Sequence, residues 1–519
     1  MASCGNSSGV KGAMTVKTVS TNRIVLSIGF DANENLKTKK ATASVKEYKY
    51  DESAEENQSL VEEKAVGLTE SNYTQATLEF TGLTKNTKYI YELYVKYNNI
   101  QEKIVTIEQT TSNAGESEET AIKITSEAEF NAIKDNVSGY YILENDLDFT
   151  NVPLNTGLSA TSSERFKGTF DGNGHTIRNV NFSSAANVGL FAYTEKATIK
   201  NLILENVVGD FSSGRASINL GALIGCAEKT TVENVKVSNV TFDIQGNQSA
   251  EINVGGIVGK ADSCTFSDVD AEIIDIEFTR CRLKVTAGLF AGTLTGKSLV
   301  TDANRNTILA ESCNATGSIS AVLYYQTSEG HSIIGGFAGN ISSSSLIYDC
   351  VANADILVTK DTTSSFANKY FLAVGGFVGA NYTGNGIELD KCLAEADIEV
   401  YAGAIPTNAE EEAELAEKTL TTSTDSSLFT ASVGGFAGRL YKVISGLNNC
   451  VYKTKDLGVK VIAKDTQANL TDTPKVLFVD NLVGKNNNVD RVIDVEAYSE
   501  TYDFSQFGEN VKNYLKIVE

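Results

Sequence analysis

Apolar and polar residues alternate along most of this chain. Runs such as VENVKVSNVTFDI (232–244), FSDVDAEIIDIEF (266–278), DCVANADILV (349–358) and KCLAEADIEV (391–400) show the period of two. That is the mark of strands with one buried face. Between these runs a second string recurs. It reads NVGLFAY, NLGALIG, NVGGIVG, TAGLFAG, IIGGFAG, AVGGFVG and SVGGFAG, with first glycines at Gly189, Gly221, Gly255, Gly288, Gly335, Gly375 and Gly434. A degenerate eighth copy, FVDNLVG, has Asp480 in the glycine place. Successive spacings are 32, 34, 33, 47, 40, 59 and 46 residues. The early units are nearly constant in length, and the later ones read as the same unit with loops inserted.

A unit of about 33 residues holding three short strands cannot bury its own apolar side. Stacked units can, each strand pairing with its equivalent about 4.8 Å above and below. The pattern therefore predicts an all-β chain built around a parallel β-helix of three-stranded coils, right-handed by the chirality of parallel crossovers. Nine or ten such turns would make a rod of about 45–50 Å. Phe191, Leu223, Ile257, Phe290, Phe337, Phe377, Phe436 and Leu482 each lie two positions after the first glycine and should form one internal stack. Cys313, Cys350, Cys392 and Cys450 share another equivalent position. Their spacing matches no metal-ligand pattern, so they read as a column of small buried thiols, with Cys226, Cys264 and Cys281 as further buried positions.

The ends differ. Residues 13–112 alternate without the repeat, as in NRIVLSIGF and TQATLEFTGLTKNTKYIYELYVKY. This stretch resembles a fibronectin type III domain, with Leu83, Tyr89 and Tyr91 on the motif and the early tryptophan absent. Residues 113–120 read as a polar linker, and 121–164 as an N-terminal cap in which Ser126 and Glu129 form a capping box before FNAI. The β-helix then spans 165–495, and 496–519 is expected to close the other end. The opening MASCGNSSG resembles a bacterial lipoprotein processing site, which makes 1–12 a leader or anchor segment and Cys4 the acylated residue.

FKGTFDGNGHTI, VGLFAY, IKNLILENV and the recurring VGGFAG strings together resemble the GLUG-motif, adhesin-like β-helix proteins of bacterial surfaces. The resemblance covers residues 121 to about 495. It implies an extracellular, cell-surface protein and carries no catalytic residues. A fold does not set a function.

Charge narrows the partners. The net charge of −22 disfavours nucleic acid and anionic headgroups. Lipid contact is expected only through the anchor, and the chain is expected to be a monomer. Catalytic constellations are sparse. His175 and His331 lie far apart in loops, Arg280 and Arg282 read as a surface pair, and Asp171–Gly174 reads as a plain turn rather than a calcium loop. The Glu-rich 407–420 reads as a helical excursion. No cofactor and no metal site follows.

The longest insertions, 244–253, 322–333, 358–372 and 400–431, fall at one corner of the coil, so they should line up along one edge. They carry Tyr324, Tyr325, Phe366, Tyr370, Phe371 and Tyr401. These rings either cap the apolar column beneath each loop or form a strip that binds a glycan or protein. The expected function is a non-enzymatic surface adhesin that presents this edge to a host or environmental ligand. The alternatives are a polysaccharide-degrading β-helix enzyme, which needs a carboxylate cluster, or a self-assembling scaffold.

Overall fold

The computed structural model describes residues 10–515, with interruptions. The longer ones are 32–35, 37–40, 52–57, 213–216, 246–250, 297–307, 325–329, 361–369, 382–386, 402–429, 441–445, 463–475, 487–492 and 498–506. The chain divides into two compact units, Met1–Ile122 and Lys123–Glu519.

The first unit is an antiparallel β-sandwich. One sheet holds Gly12–Val19, Arg23–Phe30 and Ala76–Thr81. The other holds Gln58–Gly67, Thr42–Tyr50, Lys88–Tyr97 and Ile100–Thr110, in that spatial order. Alternation sends Ile24, Leu26, Ile28, Val45 and Leu93 into a shared core, as the period of two requires. With no tryptophan in the chain, Phe80 and Tyr91 supply the core rings, their centroids 5.0 Å apart. The hydroxyl of Tyr89 accepts a hydrogen bond from the Thr84 backbone N–H at 2.8 Å, an arrangement like the tyrosine corner of immunoglobulin-type sandwiches. Tyr91 donates to a carboxylate in the core, that of Glu47, at 2.7 Å. Glu47 is only 1 % exposed, and burial raises its pKa more than the Tyr91 bond lowers it.

The second unit is a parallel β-helix, as the repeat predicts. Each coil has a short glycine strand, a second short strand, and a long third strand. The glycine strands (for example Ile252–Gly255, Val285–Gly288, Gly330–Gly335) form one eight-stranded parallel sheet. The second strands (Val258–Asp262, Ala291–Gly296, Ala338–Ser343) form another of eight. The third strands (Thr198–Ser212, Thr231–Gln245, Thr265–Arg282 and their successors) make the large sheet. Register carries Gly221 onto Gly255, Gly288, Gly335, Gly375, Gly434 and finally Asp480. The degenerate eighth string is therefore a true member of the stack.

The glycines are dictated by close approach of two backbones. In the first column, a Cβ on Gly335 would lie 2.0 Å from the Ala338 carbonyl oxygen and 2.6 Å from the Gly379 nitrogen. In the second column, a Cβ on Gly438 would lie 2.6 Å from the Val374 nitrogen of the preceding glycine strand. Glycine and second strands thus press backbone against backbone, and no side chain fits between them. The aromatic residue between the two glycines turns into the lumen. Phe290, Phe337, Phe377 and Phe436 are fully buried and stack in series, with centroids 4.5, 4.8 and 5.2 Å apart and planes within 9° of parallel. Leu482 lies outside the described residues.

The third strand bends at left-handed residues, and these also form columns. Asn201, Asn234, Asp268, Ser312, Asp349, Lys391 and Asn449 hold one corner, with φ between 51 and 57°. Asn179, Asn206, Asn239 and Ile273 hold the next, with φ between 54 and 61°. Asparagine tolerates this region, and its amide links coils: Asn234 donates to Asn201 at 2.9 Å, Asn206 to Asn179 at 3.2 Å and Asn239 to Asn206 at 3.3 Å. Ile273 ends the second ladder. It is β-branched, left-handed and 64 % exposed, and the register slips between Ala271 and Ile274.

The first coil is closed by the helix Glu127–Asn131, which starts at the capping box. The Glu129 N–H donates to Ser126 Oγ at 3.4 Å, while the Glu129 carboxylate accepts from the Thr125 N–H at 2.7 Å. Phe130 is buried against Phe149, Phe170 and Phe191. Near the other terminus the helix Glu509–Leu515 does something the sequence reading did not anticipate. It packs on the outer flank of the large sheet, over Val351, Leu393 and Val451, rather than across the last coil.

Calorimetry tests these assignments. Gly379→Ala should cost about 1–3 kcal/mol, because the added methyl has nowhere to go. Ile273→Asn should stabilise by about 1 kcal/mol, by relieving the left-handed penalty and offering a new rung to Asn239. Glu47→Gln tests the buried carboxylate. A raised folded pKa means that the stability from Glu47 is present below its unfolded value and is lost as pH rises through the folded one. The variant should therefore melt higher than the parent at pH 7, and the difference should shrink toward pH 4.

Candidate functional site

Third strands end at Ser212, Gln245, Arg282, Tyr324, Lys360, Tyr401 and Ile462, and glycine strands resume at Ile218, Ile252, Val285, Gly330, Tyr370, Thr430 and Val476. Since the strands are in register, the chain leaves and re-enters at one corner in every coil. The insertions are therefore collected on one edge, as the loop pattern predicts. A second exit, 297–307, opens at a different corner, between Gly296 and Ile308, and the sequence reading missed it.

Of the six aromatic residues assigned to this edge, Tyr401 alone has a described side chain. It is buried, packs on Leu357, and donates to the Glu399 carboxylate. That is the behaviour of a ring covering the apolar column, not of an open contact. Tyr324, Tyr370 and Phe371 lie on described strand backbone, with side chains outside the description. Tyr325, Phe366, Cys4 and the Glu-rich 407–420 lie outside the described residues, as do the side chains of Arg280 and Arg282.

What borders the edge is acidic. On the large sheet Asp210 pairs with Asp243, Asp243 with Glu277, Glu277 with Ser320, and the column continues through Leu357 to Glu399. Two residues earlier runs a second column, in which Asp275, Ser318, Asp355 and Asp397 succeed one another. Parallel in-register pairing forces such rows, because equal positions land above each other at about 4.8 Å. Some of these carboxylates are engaged. Asp397 accepts backbone N–H groups of Asp456, Leu457 and Gly458 at 2.8–3.1 Å, and Asp355 pairs with Lys455 at 2.8 Å. On the re-entry side, His331 pairs in register with Phe371 and is half-buried. Desolvation first, and Lys284 as well, lower its pKa against the opposing pull of Glu251.

The two histidines are in different surroundings. His175 Nδ1 lies 3.1 Å from Asp146 Oδ1 in the turn after Asp171. Asp171 itself is fully used, accepting from Asn173 N–H at 2.8 Å and Asn201 Nδ2 at 3.0 Å and facing Lys200 Nζ at 3.2 Å, so this turn is structural. Cys264, Cys281, Cys313, Cys350, Cys392 and Cys450 are buried, and Cys226 is half-buried, less enclosed than expected. No helix among the described residues is long and apolar enough to cross a membrane.

Residues 84–239, from the end of the sandwich through the first two coils, match a family described as the M26 IgA1-specific metallo-endopeptidase N-terminal region. An immunoglobulin A1 protease of Streptococcus sanguinis is 28% identical over 233 residues, which is 43% of this chain and 11% of that protein. The chain thus spans about a tenth of the length of its curated relative. Among solved structures, a candidate immunoglobulin A1 protease from Bacteroides ovatus aligns at 14% identity over 71% of this chain and 86% of its own, with a TM-score of 0.33. The sensor domain of an anti-sigma factor from Pseudobacteroides cellulosolvens aligns at 11% identity over 22% of this chain and 93% of its own, with a TM-score of 0.15. At these scores neither superposition bears on the fold.

The sequence similarity corrects the functional expectation. A non-enzymatic adhesin is what the repeat suggested, and neither that reading nor a polysaccharide-degrading enzyme or a scaffold matches. The similarity is to a protease, by way of its N-terminal region. The family description also implies a metal. Among the described residues no group of three or more His, Cys, Asp or Glu side chains is placed to hold one, and the chain's two histidines belong to no H-E-x-x-H string. The described residues do not form a metal centre, so no chemical step is derived through one.

Proposed function

We propose that this chain works as part of a protein-cleaving system, its β-helix being the rigid body that engages the polypeptide substrate. The supporting observation is the match of residues 84–239 to the N-terminal region of a metallo-endopeptidase family. The architecture suits the role. A stiff parallel stack holds one edge of loops at fixed spacing, bordered by rows of carboxylates that favour a basic or neutral protein surface. The substrate class proposed is an immunoglobulin, with immunoglobulin A1 the first candidate, by likeness to the relative's named target. The place of action proposed is outside the cell, at the bacterial surface, with Cys4 as the anchoring residue.

Surface plasmon resonance with the purified chain tests this. Saturable binding of immunoglobulin A1 that exceeds binding of other immunoglobulin classes is expected. Combined Tyr324→Ala, Tyr325→Ala and Tyr370→Ala substitutions should weaken it by about tenfold or more, as aromatic anchors do at interfaces, with thermal stability unchanged. Equal, non-saturable binding of all immunoglobulins would refute the proposal. Loss of stability in the triple variant would assign these rings to capping instead.

A further inference from the structure

The helix Glu509–Leu515 meets the third strands of four consecutive coils: Asn314–Tyr324, Val351–Lys360, Leu393–Tyr401 and Gly446–Ile462. Asn510 Nδ2 donates to Asn314 Oδ1 at 2.8 Å, and Asn314 Nδ2 donates back at 3.2 Å. The N–H groups of Asn510 and Val511 donate to the Asp349 carboxylate at 2.8 and 3.0 Å, at the bend before the second of these strands. Tyr514 donates to the Glu395 carboxylate at 2.8 Å and accepts from Asn353 Nδ2. Phe507 and Val511 are buried on Val351, Leu393 and Val451.

The first three of these strands pair with one another without a slip. On either side of them the sheet breaks step. Below, against Thr265–Arg282, Glu272 and Ile273 stand opposite the single Thr316, and the register slips again between Thr279 and Cys281. Above, in Gly446–Ile462, residues Lys455 to Gly458 stand opposite the single Asp397. The helix is fastened two residues ahead of each break, at Asn314 before Thr316 and at Glu395 before Asp397. Both fastenings reach across the junction. Asn314 also donates to Asp270 Oδ1 at 2.7 Å, and Glu395 also accepts from Lys453 Nζ at 2.7 Å.

We propose that the helix is a register clamp. It ties together the strands that flank each break, so the four strands open or shift as one block. Extra residues on one side of a pair leave the ladder locally unpaired, and the alignment beyond them must be fixed by something else. The four strands run on to Tyr324, Lys360, Tyr401 and Ile462, which are exits of the loop edge. The helix is seven residues long and has no stability of its own, so it persists through the contacts above. The clamp acts on the frame and does not depend on what the edge engages.

Hydrogen–deuterium exchange of the full chain, read by mass spectrometry, puts the clamp to the test. Val511→Asp places a charge on the apolar trough and should unseat the helix. Amides past the breaks, in 318–324, 355–360, 398–401 and 459–462, should then exchange about tenfold or more faster, with those of Thr198–Ser212 and Thr231–Gln245 unchanged. Tyr514→Phe keeps the apolar seat and removes both hydroxyl bonds. It should accelerate the same segments by about threefold, and it serves alone should Val511→Asp not fold. Acceleration confined to Asn314, Val351, Asn353 and their neighbours beneath the helix would mean that it covers without clamping. Equal acceleration along the whole rod would mean a general loss of stability. Either result, or unchanged rates in a folded variant, would overturn the proposal.

Discussion

The rod depends on one close approach. The glycine strand of each coil lies backbone to backbone against the second strand, near enough that a methyl group on Gly335 or Gly438 would overlap main-chain atoms. This contact turns the chain sharply without a side chain at the bend. It also aims the intervening Phe290, Phe337, Phe377 and Phe436 into the lumen, where in-register stacking brings like rings face to face. Glycine columns and aromatic column are therefore one device. The first lets the wall fold over, and the second fills what it encloses.

The same register sets the outer surface. A position that is acidic in one coil stands above its equivalents, so modest sequence preferences become rows of charge such as Asp210, Asp243 and Glu277. Asparagines at the bends become ladders in the same way. Ile273 shows the rule by breaking it: where a branched apolar residue takes the left-handed place, the ladder stops and the pairing slips by a residue.

Much of the fold is legible in the sequence because stacked coils must repeat what they bury. The glycine strings, the phenylalanine column, the cysteine column and the shared corner of the insertions all show as spacing alone. The asparagine bends left a trace as well, in pairs five residues apart, Asn201 with Asn206 and Asn234 with Asn239, but period-two alternation runs straight through them and conceals the turn. The flank position of the helix Glu509–Leu515 was not legible. Val351, Leu393 and Val451 look like ordinary strand residues until an outside partner explains why they are apolar. Tyr401 shows the opposite difficulty, since a ring near a loop has the same one-letter signature whether it caps or binds. Function was least legible of all. The repeat specifies a scaffold, and the likeness to a protease's N-terminal region lies in residues whose spacing carries no chemistry.

Collecting the insertions at one corner has an evolutionary consequence. A loop that leaves the stack where two strands end can lengthen, shorten or change composition without shifting the pairing of any layer, because both attachment points stay fixed. Spacings between glycine strings range from 32 to 59 residues while the strands remain aligned. Such a body can diversify what it displays rapidly and keep its frame constant. Changes in overall length, by contrast, must come as whole layers gained or lost.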